Sequence, residues 1–280
     1  MILIDGKKVS AEIRNRLKQE TVRLKQETGC MPGLATVLVG EDPASAVYVR
    51  NKNKVCDEVG FQSFGQNLSA ETTEAELLDI IKTLNANDQV NGILVQLPLP
   101  DHIDSEKILI SIDPEKDVDG FHPINVGKLA IGNALLTPCT PTGIIALLDY
   151  YDIEIAGKHA VILGRSNIVG KPVAHLLLQR HATVTICHSK TTNLKEVTLK
   201  ADILIAAVGR PHFVDSDMVK EAAVVIDVGI NRVDGKLVGD VEFDPVAEKA
   251  AFITPVPGGV GHMTIALLME NTLKAFKANL

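Results

Sequence analysis

The chain has 280 residues, of which 46% are hydrophobic and 22% are charged, a composition typical of a globular protein with two domains. The formal net charge of −7 disfavours nucleic-acid binding. No apolar run is long enough to span a membrane, and Asp5 interrupts the first apolar residues too early for a signal peptide.

The cysteines indicate a reducing compartment. They are widely separated and include no C-x-x-C pair, so we expect reduced thiols that fill the core of a cytoplasmic protein: Cys30, Cys56, Cys139 and Cys187. The histidines lack the spacing of metal ligands, and we therefore predict no metal site.

Helical and strand patterns alternate in the first half of the chain. Helices are expected at residues 10–28 and 43–59 and after a capping box that runs from Thr73 to Glu76. Strands are expected at residues 34–39, 61–68 and 93–100. This β–α–β–α–β order predicts a parallel sheet with helices outside it.

A second βα series follows a segment rich in proline and glycine at residues 113–143. Its expected elements are strands at residues 160–163, 182–187, 203–208 and 224–228, a hairpin turn at Asp234-Gly235 and a last helix at residues 263–277. The fold class is therefore α/β with two α/β domains. We expect an N-terminal parallel-sheet catalytic domain at residues 1–138 and a Rossmann-type domain at residues 139–262. Residues 263–280 should form a helix that packs back on the first domain, with the active site in the cleft between the halves.

The segment 159–173 has the strand–turn–helix pattern of a dinucleotide site. Gly164 and Gly170 flank the turn, where backbone N–H groups at a helix N-terminus can hold a pyrophosphate. The spacing is not a strict G-x-G-x-x-G and is not a P-loop, so a turn whose glycines serve packing remains an alternative. The next strand ends in His188-Ser-Lys-Thr191, with no acid for a ribose 2′-hydroxyl, which favours NADP over NAD.

Three side chains suggest proton transfer. Tyr48 and Lys52 lie four residues apart on one face of the expected helix 43–59, whereas Lys54 points elsewhere. A solvated lysine and a half-buried tyrosine are the plainer interpretation. Gln96, however, interrupts an apolar strand at its carboxyl end, where its amide needs a partner. A lysine beside a neutral amide and an aromatic ring, with no carboxylate, would have its pKa lowered from about 10.4 toward neutrality.

Asp117 and Asp119 place two carboxylates in one loop. The pattern Asp-x-Asp-Gly is also ordinary turn chemistry or, weakly, a calcium loop, but no bidentate Glu follows at the spacing that calcium needs. A carboxylate here could instead accept two parallel N–H bonds from the edge of a ligand.

Seven motifs in order resemble the bifunctional methylenetetrahydrofolate dehydrogenase/cyclohydrolase (FolD) family, and the resemblance covers essentially the whole chain. They are Tyr48-Val-Arg-Asn-Lys52, Val95-Gln-Leu-Pro-Leu-Pro100, Lys116-Asp-Val-Asp-Gly-Phe-His-Pro123, Pro138-Cys-Thr-Pro141, Gly164-Arg-Ser-Asn-Ile-Val-Gly170, Cys187-His-Ser-Lys-Thr191 and Pro255-Val-Pro-Gly-Gly-Val-Gly261.

The resemblance implies a multifunctional oxidoreductase and hydrolase of one-carbon metabolism and purine biosynthesis. Such an enzyme oxidises 5,10-methylenetetrahydrofolate with NADP to the 5,10-methenyl cation and then hydrolyses that cation to 10-formyltetrahydrofolate. It also implies a homodimer through the Rossmann domains.

For the folate site, the resemblance implies that Lys52 is the catalytic lysine. Tyr48 would stack on the aminobenzoate ring, Gln96 would tune the lysine, and Asp119 would bind the N–H edge of the pterin. The remaining implied substrate contacts are Ser45, Leu97, Pro257, Gly258 and Gly259.

For the cofactor, the resemblance implies contacts to the phosphates and ribose from Gly164, Arg165, Ser166 and Ser189. The backbone of Ile230 would contact the nicotinamide amide. One departure is His262, at a position where relatives often have proline, and it leaves open how rigid this loop is.

Two alternatives to this function remain at this point. A shikimate-type NADP dehydrogenase also has two domains with a catalytic Lys and Asp, but it would not need Tyr48 in register with Lys52 or the Pro-Gly-Gly loop. A non-catalytic NADPH-binding module would not need to retain both Lys52 and Asp119.

Overall fold

The computed structural model describes the chain from Met1 to Leu280 except at position 44. The elements of its first half are β1 (Ile2–Leu3), α1 (Gly6–Thr28), β2 (Gly33–Val39), α2 (Pro43–Glu58), β3 (Gln62–Ser63), β4 (Gln66–Leu68), α3 (Glu74–Asn85), β5 (Gly92–Val95), α4 (Ser105–Ser111) and α5 (Pro123–Ala130). The second half contains α6 (Cys139–Tyr150), β6 (His159–Leu163), α7 (Gly170–Gln179), β7 (Thr183–Cys187), α8 (Leu194–Thr198), β8 (Ile203–Ala206), β9 (Val224–Asp227), β10 (Asn231–Val233), β11 (Lys236–Val238), α9 (Phe243–Ala247), β12 (Phe252–Ile253) and α10 (Val260–Ala278). No helix of the described residues is long and apolar enough to cross a membrane.

The chain divides into two compact units. The first unit comprises Ala11–Cys139 with Ile265–Leu280, and the second comprises Met1–Ser10 with Thr140–Thr264. The observed division after residue 139 lies one residue from the expected one, but Met1–Ser10 belongs to the second unit. The reason is that β1 pairs in parallel with β12, which places Ile2 opposite Phe252.

The first unit contains a parallel sheet centred on β2. Strand β2 is buried along its whole length and pairs with β3, β4 and β5. The expected strand at residues 61–68 is in fact two short strands, β3 and β4, which are separated at Phe64 and Gly65. Helix α3 starts with the predicted capping box and packs Leu77 and Ile81 into the core of the sheet.

The C-terminal helix packs with the first unit, as the fold prediction required. Asn271 of α10 is fully buried and donates two hydrogen bonds from Nδ2, at 2.9 Å to the carbonyl of Val118 and at 2.8 Å to that of Thr137. A side-chain amide inside an apolar helix therefore ties the helix to the loop that contains Asp119.

The second unit contains a parallel sheet in the order β1-β12-β9-β8-β6-β7. Helix α7 follows β6 directly, which gives the strand–turn–helix unit of a Rossmann-type fold. Strands β10 and β11 form the predicted antiparallel hairpin around Asp234 and Gly235. The predicted two-domain α/β fold class is confirmed.

Candidate active site

Helix α2 carries the candidate proton-transfer residue. The helix starts where the Asp42 carboxylate accepts a 2.7 Å bond from the backbone N–H of Ser45, with Pro43 in the first turn. A 2.9 Å bond from Thr36 Oγ1 to Asn53 Oδ1 fixes the helix to β2. Because Asn53 is the residue after Lys52, this bond constrains how α2 is turned about its own axis at Lys52.

Lys52 is buried and meets Gln96 at the end of β5. Its Nζ donates to Gln96 Oε1 at 3.0 Å, and only 8% of the lysine is exposed. Gln96 Nε2 in turn donates to the carbonyl of Leu97 at 2.7 Å, so the amide oxygen is held toward the lysine. The structure therefore brings together the two residues that the sequence placed on different elements, and β5 ends at Val95 instead of continuing to residue 100.

Asp119 adds a carboxyl group to the same site. Burial raises the pKa of Asp119 to about 6, the positive charge of Lys52 opposes that rise, and the negative charge of Asp117 adds to it. The expectation that Lys52 lies near no carboxylate is therefore wrong: Lys52 and Asp119 interact electrostatically. At neutral pH the Asp119 carboxyl is mostly ionised, which suits an acceptor of N–H bonds.

Asp117 has a structural role in the same loop. It is buried and accepts bonds from the backbone N–H of His122 at 2.8 Å and from Asn125 Nδ2 at 2.9 Å. These bonds fix the start of α5, which is the turn chemistry that the Asp-x-Asp-Gly pattern also allowed. Of the two aspartates, Asp119 is therefore the one whose carboxyl pKa responds to the charge of Lys52.

Two residues near Asp119 were missed by the sequence analysis as parts of the site. Asn271 holds the carbonyl of Val118, and Cys139 Sγ donates to that same carbonyl at 3.3 Å. Burial, reinforced by the nearby Asp119, raises the pKa of the Cys139 thiol well above its usual value, so the thiol remains protonated. The signal for Asn271 was present in the sequence, since a lone amide in an apolar helix needs buried partners.

The turn between β6 and α7 has the close backbone packing of a phosphate-binding turn. Gly164 adopts φ +122°, and a Cβ there would lie 2.2 Å from the carbonyl oxygen of Ala207. A Cβ at Gly170 would lie 2.3 Å from the carbonyl oxygen of Gly164. Both glycines are thus required by the backbone, and the intervening Arg165 and Ser166 are exposed. These residues fit a dinucleotide.

Ser166 is already partly engaged in this turn. Its Oγ accepts bonds from the backbone N–H groups of Val169 at 3.1 Å and Gly170 at 3.3 Å. A serine hydroxyl has two acceptor positions and one donor, so the O–H of Ser166 remains suited to donate to a phosphate. At the end of β7, Ser189 and Lys190 are exposed in a turn in which Lys190 N–H donates to His188 Nδ1 at 3.1 Å.

The other predicted site residues lie on several elements. Tyr48 is 43% exposed on α2, which leaves its ring open to a ligand, whereas Ser45 is buried. Leu97 lies next to Gln96 in the first unit, and Ile230 follows β9 in the second unit with half of its surface exposed. The loop of the second unit before α10 contains Pro257, Gly258 and Gly259, with Gly258 at φ +118°.

Comparisons with known proteins agree along the whole chain. The model of the tetrahydrofolate dehydrogenase/cyclohydrolase catalytic domain matches residues 4–119, and that of the family's NAD(P)-binding domain matches residues 138–280. A Halothermothrix orenii protein named bifunctional protein FolD is 61% identical over 277 residues, covering 98% of each chain.

Solved structures show the same similarity. The FolD methylenetetrahydrofolate dehydrogenase/cyclohydrolase of Campylobacter jejuni has a TM-score of 0.98 at 53% identity and covers 100% of both chains. The Trypanosoma brucei enzyme, solved with NADP cofactor and inhibitor, has a TM-score of 0.95 at 41% identity and covers 99% of this chain and 98% of its own.

A more distant likeness bears on the alternative enzyme class. The shikimate 5-dehydrogenase of Thermus thermophilus has a TM-score of 0.54 at 15% identity, covering 88% of this chain and 100% of its own. Identity this low shows a shared fold alone.

Proposed function

The chain belongs to the tetrahydrofolate dehydrogenase/cyclohydrolase family, and from that premise we propose that Lys52 is the proton-transfer residue of its active site. The observation that carries the proposal is the 3.0 Å hydrogen bond from Lys52 Nζ to Gln96 Oε1, together with the electrostatic interaction of Lys52 with the Asp119 carboxyl. In the same proposal the first unit carries the folate-binding catalytic domain and the second unit binds NADP.

The protein is a bifunctional enzyme of one-carbon metabolism. It oxidises 5,10-methylenetetrahydrofolate with NADP to 5,10-methenyltetrahydrofolate and hydrolyses that product to 10-formyltetrahydrofolate. A shikimate-type dehydrogenase is not favoured, because family-level identity extends over the whole chain. When bound, NADP supplies the hydride acceptor for the first reaction.

In the proposed hydrolysis, Lys52 moves two protons. As an amine it takes a proton from the water whose oxygen bonds to the electrophilic methenyl carbon. As an ammonium it returns a proton to the pterin nitrogen when the bond between that nitrogen and the former methenyl carbon breaks. Gln96 Oε1 accepts from Lys52 throughout and so keeps Nζ in one position. The hydroxyl that the water leaves on this carbon loses its remaining proton to solvent as the formyl C=O forms, so the reaction consumes one water and releases one proton.

The other residues of the first unit bind and orient the folate in this proposal. Asp119 accepts two N–H bonds from the pterin edge, because its carboxylate is favoured by the positive charge of Lys52 and is mostly ionised at neutral pH. Tyr48 stacks on the aminobenzoate ring, since its ring is exposed on the same helix face as Lys52. Ser45 and Leu97 complete the pocket wall of this unit.

The second unit supplies the proposed NADP contacts. Gly164, Arg165 and Ser166 hold the phosphates at the turn before α7, and the exposed Ser189 holds the ribose 2′-phosphate with Lys190 beside it. Ile230 contributes its backbone to the nicotinamide amide. The proposal also gives Pro257, Gly258 and Gly259 a role in folate binding.

The test is Lys52→Ala. We expect the cyclohydrolase rate with methenyltetrahydrofolate to fall by about 10²–10⁴, the usual contribution of a general acid–base group, while the dissociation constant for NADP stays unchanged. Lys54→Ala is the matched control, because Lys54 lies on the same helix with an exposed side chain. Equal rates for wild type and Lys52→Ala would remove Lys52 from the mechanism.

We further propose a cytoplasmic homodimer that forms through the second unit. Strand β7 lies at one edge of its sheet and exposes Thr183 and Ile186, so a second copy has an unpaired strand to dock against. Cys56, Cys139 and Cys187 are buried as expected, but the expectation that Cys30 fills the core is wrong, because its thiol is exposed. An exposed free thiol suits a reducing compartment. The net charge of −7 disfavours nucleic acid as a partner. Light scattering at micromolar concentration should give twice the monomer mass of 30.1 kDa.

A further inference from the structure

Asp240 is a buried carboxylate that is bonded to the loops after two neighbouring strands. Its Oδ2 accepts from the backbone N–H groups of Val208 at 2.7 Å and Gly209 at 2.9 Å. Its Oδ1 accepts from the backbone N–H of Arg210 at 2.9 Å and from Asn231 Nδ2 at 2.9 Å. Three successive N–H groups of one loop thus converge on a carboxylate that is 0% exposed.

A second buried carboxylate, Asp227 at the end of β9, fixes the backbone of Asp240 itself. Asp227 Oδ1 accepts from the backbone N–H groups of Gly229 and Asp240, both at 2.9 Å. Its Oδ2 accepts from the N–H of Val241 at 2.9 Å. The two aspartates therefore act in series, because Asp227 holds Asp240 and Asp240 holds the loop after β8.

Two glycines make room for these carboxylates. A Cβ at Gly229 would lie 2.3 Å from Asp240 Oδ1, and a Cβ at Gly239 would lie 1.8 Å from Asp227 Oδ2. Neither glycine has a positive φ, so the requirement is space for a neighbouring oxygen and not backbone conformation. The glycines therefore leave the space that the two carboxylates occupy, so both the glycines and the aspartates are needed for this set of hydrogen bonds.

The loops that Asp240 joins are those where a dinucleotide is expected. Residues 207–210 follow β8, and residues 228–231, which include Ile230, follow β9, at the carboxyl ends of parallel strands. Ala207 also packs against the turn before α7, where its carbonyl oxygen fills the space beside Gly164. We propose that Asp240 is a positioning residue for NADP, whose carboxylate sets the loops after β8 and β9 in their binding conformation.

The inference rests on the proposed NADP site and is tested by binding, without turnover. In Asp240→Asn an NH₂ group replaces one acceptor oxygen and faces N–H donors, so we expect the dissociation constant for NADP by calorimetry to rise about tenfold. Hydrogen exchange should also become faster at the amides of Val208, Gly209 and Arg210. Cyclohydrolase activity with methenyltetrahydrofolate, which needs no NADP, should stay within about twofold of wild type.

Asp234→Asn is the matched control, because it makes the same chemical change in the exposed turn between β10 and β11. Asn231→Ala is a milder second variant that removes one bond to Asp240, and we expect a loss of NADP affinity of about threefold. Unchanged NADP affinity in folded Asp240→Asn would overturn the proposal. If Asp240→Asn does not fold, unchanged affinity in Asn231→Ala would overturn it. If Lys52 is not the proton-transfer residue, Lys52→Ala will keep its cyclohydrolase activity, whereas the NADP dissociation constants of the Asp240 and Asn231 variants will still rise. The two proposals therefore fail independently.

Discussion

The two units use polar side chains in different ways. In the first unit, the buried Lys52 donates to the half-buried Gln96 and interacts electrostatically with the half-buried Asp119, and in our proposal these side chains themselves carry the chemistry. In the second unit, the buried carboxylates Asp227 and Asp240 bond to backbone N–H groups, and the surface left for a ligand consists of glycines, exposed backbone and exposed side chains.

This difference fits the two tasks. Hydrolysis needs a group that exchanges protons, and such a group must be placed and tuned by its neighbours. Binding a dinucleotide needs N–H groups and space, which a rigid backbone supplies. Substitutions in the first unit should therefore change rates, whereas substitutions in the second should change cofactor affinity and cofactor choice.

Gln96→Met should give the largest effect of the variants that test this contrast. Methionine fills a similar volume but is a poor acceptor for Lys52 Nζ, so the buried lysine loses its 3.0 Å partner. We expect cyclohydrolase kcat to fall by about tenfold to a hundredfold with no change in NADP affinity. A variant that lost NADP affinity as well would break the proposed separation between the units.

The sequence predicted most of the first-unit group, because each member was conspicuous in its local pattern. Lys52 followed Tyr48 by one helical turn, and Gln96 was a lone polar residue at the end of an apolar run. What the sequence could not give was the electrostatic interaction between Lys52 and Asp119. The two residues are 67 positions apart, and only the folded loop brings a carboxyl group near the lysine.

The second unit was harder to predict in detail. Its sheet, its hairpin and the turn at Gly164 followed from apolar periodicity and glycine spacing, but the joint role of Asp227 and Asp240 did not. Both aspartates look like ordinary turn residues in sequence, since their partners are backbone N–H groups that every residue type provides. The strand β1 was also missed, because a strand of two exposed residues, Ile2 and Leu3, has no periodicity to detect.

Ser189→Asp should test the cofactor choice with an intermediate effect. The exposed turn after β7 lacks an acid, and a new carboxylate there would repel a 2′-phosphate. We expect kcat/KM for NADP to fall by roughly thirtyfold and the wild-type preference for NADP over NAD to shrink. Ser166→Ala, measured alongside it, should weaken both cofactors equally, because it lies at the turn before α7. Equal kcat/KM of the wild-type enzyme for NAD and NADP would contradict the 2′-phosphate assignment.

The smallest of the effects that test this contrast is a dependence of folate affinity on pH. Burial raises the pKa of Asp119 to about 6, so the fraction ionised falls about tenfold between pH 7 and pH 5. If the carboxylate binds the pterin edge, affinity for tetrahydrofolate should weaken about tenfold over that range. Asp119→Asn is the control for titration of tetrahydrofolate itself. This variant should bind tetrahydrofolate weakly, and its affinity should depend little on pH.

The contribution of such carboxyl groups to the stability of the fold should rise on acidification, over the same pH range in which folate affinity falls. A carboxyl group whose pKa is raised in the folded state contributes stability that is complete below its ordinary pKa and is lost as the pH rises through about 6. Asp227, whose pKa burial also raises to about 6, acts in the same sense in the second unit. Acidification from pH 7 to pH 5 should thus weaken folate binding while these two carboxyl groups favour the folded state. A parallel fall in Tm and folate affinity would show that unfolding, and not protonation of Asp119, weakens binding.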